Sequence, residues 1–99
     1  MLKTLSMHKP KLIMNDPFIN ILPSLDVHGF TSDTVIVPVS EFINDNLKMG
    51  NYKIVIIHGI GLGVLRKTIN THFKRDKRIK KMYQYGSNLG MSIIELNID

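Results

Sequence analysis

No cysteine occurs anywhere in the 99 residues, which excludes disulfide stapling, thiolate zinc sites and thiol catalysis. Long apolar runs are missing too. None approaches the roughly 20 residues that a membrane-spanning helix needs. Residues 1–10 carry Lys3, His8 and Lys9 but no continuous apolar core, so they do not read as a signal peptide. Together these absences predict a soluble domain that stays in the cytoplasm and has no membrane partner. Acidic residues are scarce: 8 Asp and Glu stand against 13 Lys and Arg, for a formal net charge of +5 and a pI near 9.6. No internal repeat and no low-complexity tract appears.

What remains is enough for one domain with an ordinary core. The chain is 43% hydrophobic, and a chain of this length buries about 60–65% of its unfolded surface. Pro10, Pro17 and Pro23 break up the first part of the chain, so residues 1–23 are expected to form an irregular arm and residues 24–99 the domain. Leu25 to Gly29 reads as a short strand ending at a glycine. Thr31, Ser32 and Asp33 offer helix N-caps. Val35, Val39, Phe42, Ile43 and Leu47 then follow at helical spacing. Pro38 lies within that segment, so the helix either begins near it or kinks there. Ile54 to Ile57 is a β-branched run typical of a strand covered on both faces. A helix from about Val64 to Lys74 places Leu65, Ile69 and Phe73 on its inner side. Ile79 to Tyr85 and Met91 to Ile98 alternate as half-buried strands, joined by a turn at Gly86–Gly90. The order β-α-β-α-β-β predicts an α/β (α+β sandwich) fold, a four-stranded mixed sheet with two helices packed against it.

The residues suited to chemistry gather at the ends of the first two strands. Asp26 and His28 alternate onto one face of the first strand, and His58 ends the second. Two imidazoles with a carboxylate to orient one of them meet the needs of general acid–base catalysis. The turn after His58 contains Gly59, Gly61 and Gly63 and precedes a helix. Its amides, with Arg66 and Lys67 in the first helical turn, suit a phosphate. The turn is neither a Walker P-loop nor a dinucleotide fingerprint, because the Gly-Lys-Ser/Thr ending and the G-x-G-x-x-G spacing are both absent. No cofactor is expected. No metal is expected either, since a second acidic ligand is lacking near Asp26, His28 and His58. Eight of the 13 Lys and Arg residues fall between positions 64 and 82: Arg66, Lys67, Lys74, Arg75, Lys77, Arg78, Lys80 and Lys81. Such a run is either a solvated face or a footprint for a polyanion.

Three segments resemble the Smr (small MutS-related) family in the family's own order. Leu25-Asp26-Val27-His28-Gly29 resembles its L-D-x-H-G opening, and the segment from His58 to Arg66 resembles its H-G-x-G-x-G-x-L-R motif. Asn88-x-Gly90-x-Ser92-Ile93-Ile94-Glu95-Leu96 is similar to its N/G-x-G-x-T-x-V-x-L ending. The resemblance implies a four-stranded sheet with two helices, nucleic-acid binding and, in several members, endonuclease activity. Some members nick DNA, and others cleave messenger RNA on stalled or collided ribosomes. Asp26, His28 and His58 would be the catalytic residues, with Gly59, Gly61, Gly63 and the basic run as nucleic-acid contacts. Ile60 departs from the family, which often has Lys or Arg there, and Pro38 is unusual in the first helix. The function expected is a metal-independent endonuclease acting on RNA in preference to DNA. The rivals are a non-catalytic module that binds nucleic acid or the ribosome, and a small-molecule phosphate binder using the glycine turn.

Overall fold

A computed structural model describes residues 22–97. The arm expected over residues 1–23 therefore lies, up to residue 21, outside the described residues. The elements are β1 (Ser24–Asp26), α1 (Ile36–Lys48), β2 (Lys53–Ile57), α2 (Val64–Phe73), β3 (Ile79–Tyr85) and β4 (Asn88–Leu96). They form one four-stranded sheet in the order β1-β2-β4-β3. β1 runs parallel to β2, and β4 runs antiparallel to both β2 and β3.

Both helices cover the same face. Pairing sets Ile54 opposite Ile94 and Ile56 opposite Ser92, so these side chains share a face. Ile54, Ile56, Ile94 and Leu96 from that face join Val39, Phe42 and Ile43 of α1 and Ile69 and Phe73 of α2 in a single core. Leu47 and Leu65 pack against it half-buried. The helical spacing read from the sequence thus marks the core face of both helices correctly.

The start of α1 answers the question posed by Pro38. The helix begins at Ile36, and Pro38 is its third residue. The first helical bond runs from the Val39 amide to the Val35 carbonyl at 3.3 Å, so proline's missing N–H falls where no intrahelical partner exists. The N-caps expected at Thr31, Ser32 and Asp33 are not used. Val35 is the N-cap and makes no side-chain cap, because Thr31 and Thr34 close a separate turn just before it. The Thr31 amide donates to Thr34 Oγ1 at 3.0 Å, and the Thr31 carbonyl accepts from the Val35 amide at 3.0 Å.

The hairpin differs from expectation as well. β4 starts at Asn88, three residues earlier than the apolar pattern suggested, and ends at Leu96. Only Gly86 and Ser87 lie between the strands, with Gly86 at φ 57°. The antiparallel ladder thus extends through Asn88 and Leu89, whose exposed side chains give no alternating signal.

Arg78 ties the loop before β3 to α1. Its Nε and Nη2 donate to Asp76 at 2.9 and 2.6 Å. Nη1 donates to the Ser40 carbonyl and Asn44 Oδ1, and Nη2 also donates to Ser40 Oγ. All five guanidinium N–H donors are thereby matched within the domain. The Arg78 side-chain bonds hold the Asp76 carboxyl below its ordinary range. Among the described residues no helix is long and apolar enough to cross a membrane.

Candidate functional site

Parallel pairing brings the ends of β1 and β2 to the same edge of the domain, with Asp26 opposite Ile57. β1 stops at Asp26 and not at Gly29, because the carboxylate turns the chain back on itself. Asp26 Oδ1 accepts from the His28 amide at 3.1 Å. The same oxygen lies 2.6 Å from His28 Nδ1. A carboxylate only accepts, so Nδ1 carries the proton and Nε2 is left as the basic nitrogen. The strand alternation expected for this pair is replaced by direct contact. The His28 side chain is 72% exposed, and its Cβ lies 3.5 Å from the point where a side chain on Gly59 would begin. His28 therefore sits over the glycine turn.

His58 ends a strand in the same dipeptide but occupies a different place. Its residue exposure is 5%. Nδ1 lies 3.0 Å from the Gly59 carbonyl, which can only accept, so this nitrogen is the donor. Nε2 then accepts from the Ser92 hydroxyl at 2.8 Å. Burial lowers the His58 pKa below the ordinary imidazole value, and the nearby Arg66 charge pushes the same way against the Gly59 carbonyl. Both ring nitrogens of His58 are thus engaged inside the domain, whereas His28 offers Nε2 at the surface.

The neutral His58 carries a consequence for stability. A folded-state pKa below the unfolded value of about 6.5 means that the unfolded chain binds the proton first. Its stabilising contribution is full above pH 6.5 and is lost as pH falls from there through the folded-state value. Thermal melts between pH 7.5 and 5 should show a steady fall in Tm that is flatter in His58→Gln. An equal slope in both proteins would count against this account. Asp76, also lowered, acts only in the carboxylate range below that window.

Backbone geometry accounts for the glycines. Gly59, Gly61 and Gly63 have φ of 80°, 34° and 76°, a region that side-chain-bearing residues avoid. Gly63 is also the N-cap of α2 and has no side-chain cap. Two of the amides expected to face a phosphate are occupied. The Gly59 amide donates to the Gly90 carbonyl at 3.0 Å and the Gly63 amide to the Ile60 carbonyl at 3.1 Å. The first helical bond of α2 is from Lys67 to the Gly63 carbonyl, so the amides of Val64, Leu65 and Arg66 form the positive end of the helix.

Sequence reasoning gave no role to the residues that brace this turn from β4. The Gly90 carbonyl accepts from the amides of both His58 and Gly59, and the Gly90 amide donates to Asn88 Oδ1 at 2.8 Å. A Cβ on Gly90 would stand 3.4 Å from Gly59 Cα, so glycine permits the close approach of the two backbones. The only signal for these roles was the resemblance around Asn88, Gly90 and Ser92.

The basic run divides between an open groove beside α2 and the loop that follows the helix. Arg66 and Lys67 lie in the first turn of α2, and Lys74 is its C-cap. Arg75 and Lys77 are exposed in the following loop. Arg78 is engaged by α1 and Asp76, a bracing role that the sequence did not show. Lys80 sits at a register shift in β3. Lys81, paired with Glu95, is directed to the helix-free face of the sheet, 5.3 Å over the Tyr83 ring. On that face Tyr83 donates to Glu95, which raises the phenol's pKa to about 12. Among the described residues no three His, Asp or Glu side chains cluster in a way that could hold a metal ion.

The Smr domain family model matches residues 25–95, a span holding the first two motif segments and all but the last residue of the third. The chain belongs to the Smr domain family. It is 37% identical over 87 residues to the Endonuclease MutS2 of Caldanaerobacter subterraneus subsp. tengcongensis, an alignment covering 85% of this chain and 11% of that protein. The Endonuclease MutS2 of Caldicellulosiruptor saccharolyticus is 40% identical over 76 residues, covering 74% of this chain and 10% of the relative. The chain thus spans about a tenth of the length of these relatives. The crystal structure of the Smr domain of Thermus thermophilus MutS2 has the same fold, with a TM-score of 0.72 at 23% identity over 75% of this chain and 96% of that one. The four-stranded mixed sheet with two helices read from the sequence is therefore the Smr architecture.

Proposed function

We propose that this Smr domain is a metal-independent endonuclease that acts on RNA in the cytoplasm. The observation carrying the proposal is the exposed His28 imidazole, fixed by Asp26 with Nε2 as its basic nitrogen. In this reading Nε2 takes the proton from a ribose 2′-hydroxyl. The 2′-oxygen attacks phosphorus and the bond to the 5′-oxygen breaks. The products are a 2′,3′-cyclic phosphate and a 5′-hydroxyl, the leaving oxygen taking its proton from water. The α2 amides and Arg66 oppose the negative charge that grows on the phosphorane. His58, enclosed and doubly bonded, acts here as a positioning residue that holds the Gly59 turn beneath His28. The names of the relatives support nuclease chemistry, and the net charge of +5 supports a polyanionic substrate, whether free or on a ribosome.

Incubation with labelled RNA in the presence of EDTA tests the reading directly. Cleavage to a cyclic phosphate should proceed, and a single 2′-deoxy substitution at the cleaved nucleotide should stop it there. Retention of the RNA without cleavage would instead identify a binding module. Cleavage that survives the 2′-deoxy substitution would rule out attack by the 2′-hydroxyl.

A further inference from the structure

Between α2 and the edge strand β3 lies an open groove of about 760 Å³ that the glycine turn and its histidines do not account for. One wall is a stripe along α2: Arg66, Lys67, Asn70, Thr71 and Lys74. These positions follow the 3-and-4 spacing of one helical face. It is the polar face, complementary to the core stripe of Leu65, Ile69 and Phe73. The other wall carries Lys80 and Gln84 of β3. Ser92 lines the groove as well, and its hydroxyl bonds the buried His58. The groove therefore begins at Gly63 and Arg66, beside the proposed catalytic turn, and runs some 15 Å along α2 to Lys74.

We infer that this groove holds a single unpaired strand of the nucleic acid as it leaves the cleavage site, and that it discriminates against duplex. The inference rests on the proposed function for its ligand class, and three features of the groove give it content. First, Lys and Arg stand on both walls and, among the described residues, no acidic side chain lines the groove. Cations facing one another across a slot converge on one phosphate chain, whereas a duplex presents two separated phosphate rows on a wide convex surface. Second, the volume is in the range of a pocket for a small ligand. A stretch of one strand fits and a double helix stays outside. Third, the groove contains amides and a hydroxyl among its cations. Asn70 and Thr71 make no side-chain hydrogen bond among the described residues, while Gln84 Nε2 donates to the Gly86 carbonyl at 2.7 Å and keeps its carbonyl oxygen as an acceptor. Such groups match the hydrogen-bonding edges of bases, which are open in a single strand and paired off in a duplex. Lys67, Lys74 and Lys80 are thus assigned to the backbone, and Asn70, Thr71 and Gln84 to the bases.

Binding of fluorescent oligonucleotides, followed by anisotropy on the His28→Ala protein across a salt series, separates these roles without cleavage. The parent should bind an unpaired RNA at least tenfold more tightly than the duplex of the same sequence. Lys67→Gln/Lys74→Gln/Lys80→Gln should lose that preference. Its salt slope on single strands should fall by about two, at about 0.7 per phosphate contact. Asn70→Ala/Gln84→Ala should weaken single-strand binding several-fold at an unchanged salt slope and leave duplex binding alone. All the replaced side chains are exposed, and thermal melts verify that each variant is folded. Equal affinity for duplex and single strand, or parental affinity in the triple lysine variant, would overturn the inference. Failure of cleavage with these binding effects intact would count against the nuclease reading and leave the groove assignment standing.

Discussion

His28→Ala is expected to cleave RNA roughly 10²- to 10⁴-fold more slowly than the parent, the usual contribution of a positioned acid–base group. Its folding free energy should stay within about 0.5 kcal/mol, because a side chain that is 72% exposed gives up little packing. Affinity for uncleavable RNA should hardly change, since the phosphate is assigned to the α2 amides, Arg66 and the groove lysines. Asp26→Asn should show a smaller loss. The asparagine oxygen still accepts from Nδ1, but its amide can also donate, so the imidazole tautomer is no longer fixed. Single-turnover rates on labelled RNA decide the matter. An unchanged rate in His28→Ala would remove the catalytic assignment.

The second large effect lies away from the site. Arg78→Ala should lower stability by about 2 kcal/mol, as expected when hydrogen bonds to a charged group are lost and the half-buried Asp76 carboxylate keeps only the backbone amide of residue 78 as a donor. For a domain of this size that corresponds to roughly 10 °C in Tm. Arg78→Lys should recover little, since one ammonium cannot satisfy Asp76, Ser40 and Asn44 together. At a temperature where the variant is still folded, its nucleic-acid affinity and salt slope should match the parent's. Weaker binding by folded Arg78→Ala, with the slope reduced, would return Arg78 to the nucleic-acid footprint. Neutralising the whole basic run at once would confuse the two effects, which is why Lys67, Lys74 and Lys80 are the informative positions.

The two kinds of residue also show what a sequence can convey. Helical spacing marked Val39, Phe42, Ile43, Ile69 and Phe73 for the core, because one apolar stripe has one place to go. The order of elements was equally legible, whereas the alternation read for β3 is broken at its register shifts, and Ile79, Met82 and Tyr85 are its half-buried residues. The job of Arg78 was not legible, because its partners Ser40 and Asn44 stand 38 and 34 residues away and local charge density looks the same for a bound and an unbound arginine. The two His-Gly pairs looked alike for a similar reason. β1 is an edge strand and β2 is enclosed between β1 and β4, so one imidazole emerges and the other is covered. That difference follows from strand order in space, and residues 22–35 alone contain no trace of it. The start of α1 at Ile36 was obscured by Pro38, whose cost depends on the helical position it occupies.

The last strand of the sheet lies in its middle. β4 joins β2 to β3, supplies the Gly90 carbonyl that anchors the glycine turn, and brings the Ser92 hydroxyl to His58. A ribosome releases the chain from its N-terminal end, so Asp26, His28, His58 and the whole basic run emerge before the strand that assembles them. A nascent or prematurely ended chain stopping before residue 88 would contain each of those side chains and no formed groove or turn. A partial product has the positive charge and both histidines but lacks the strand that holds His58 and the glycine turn in place.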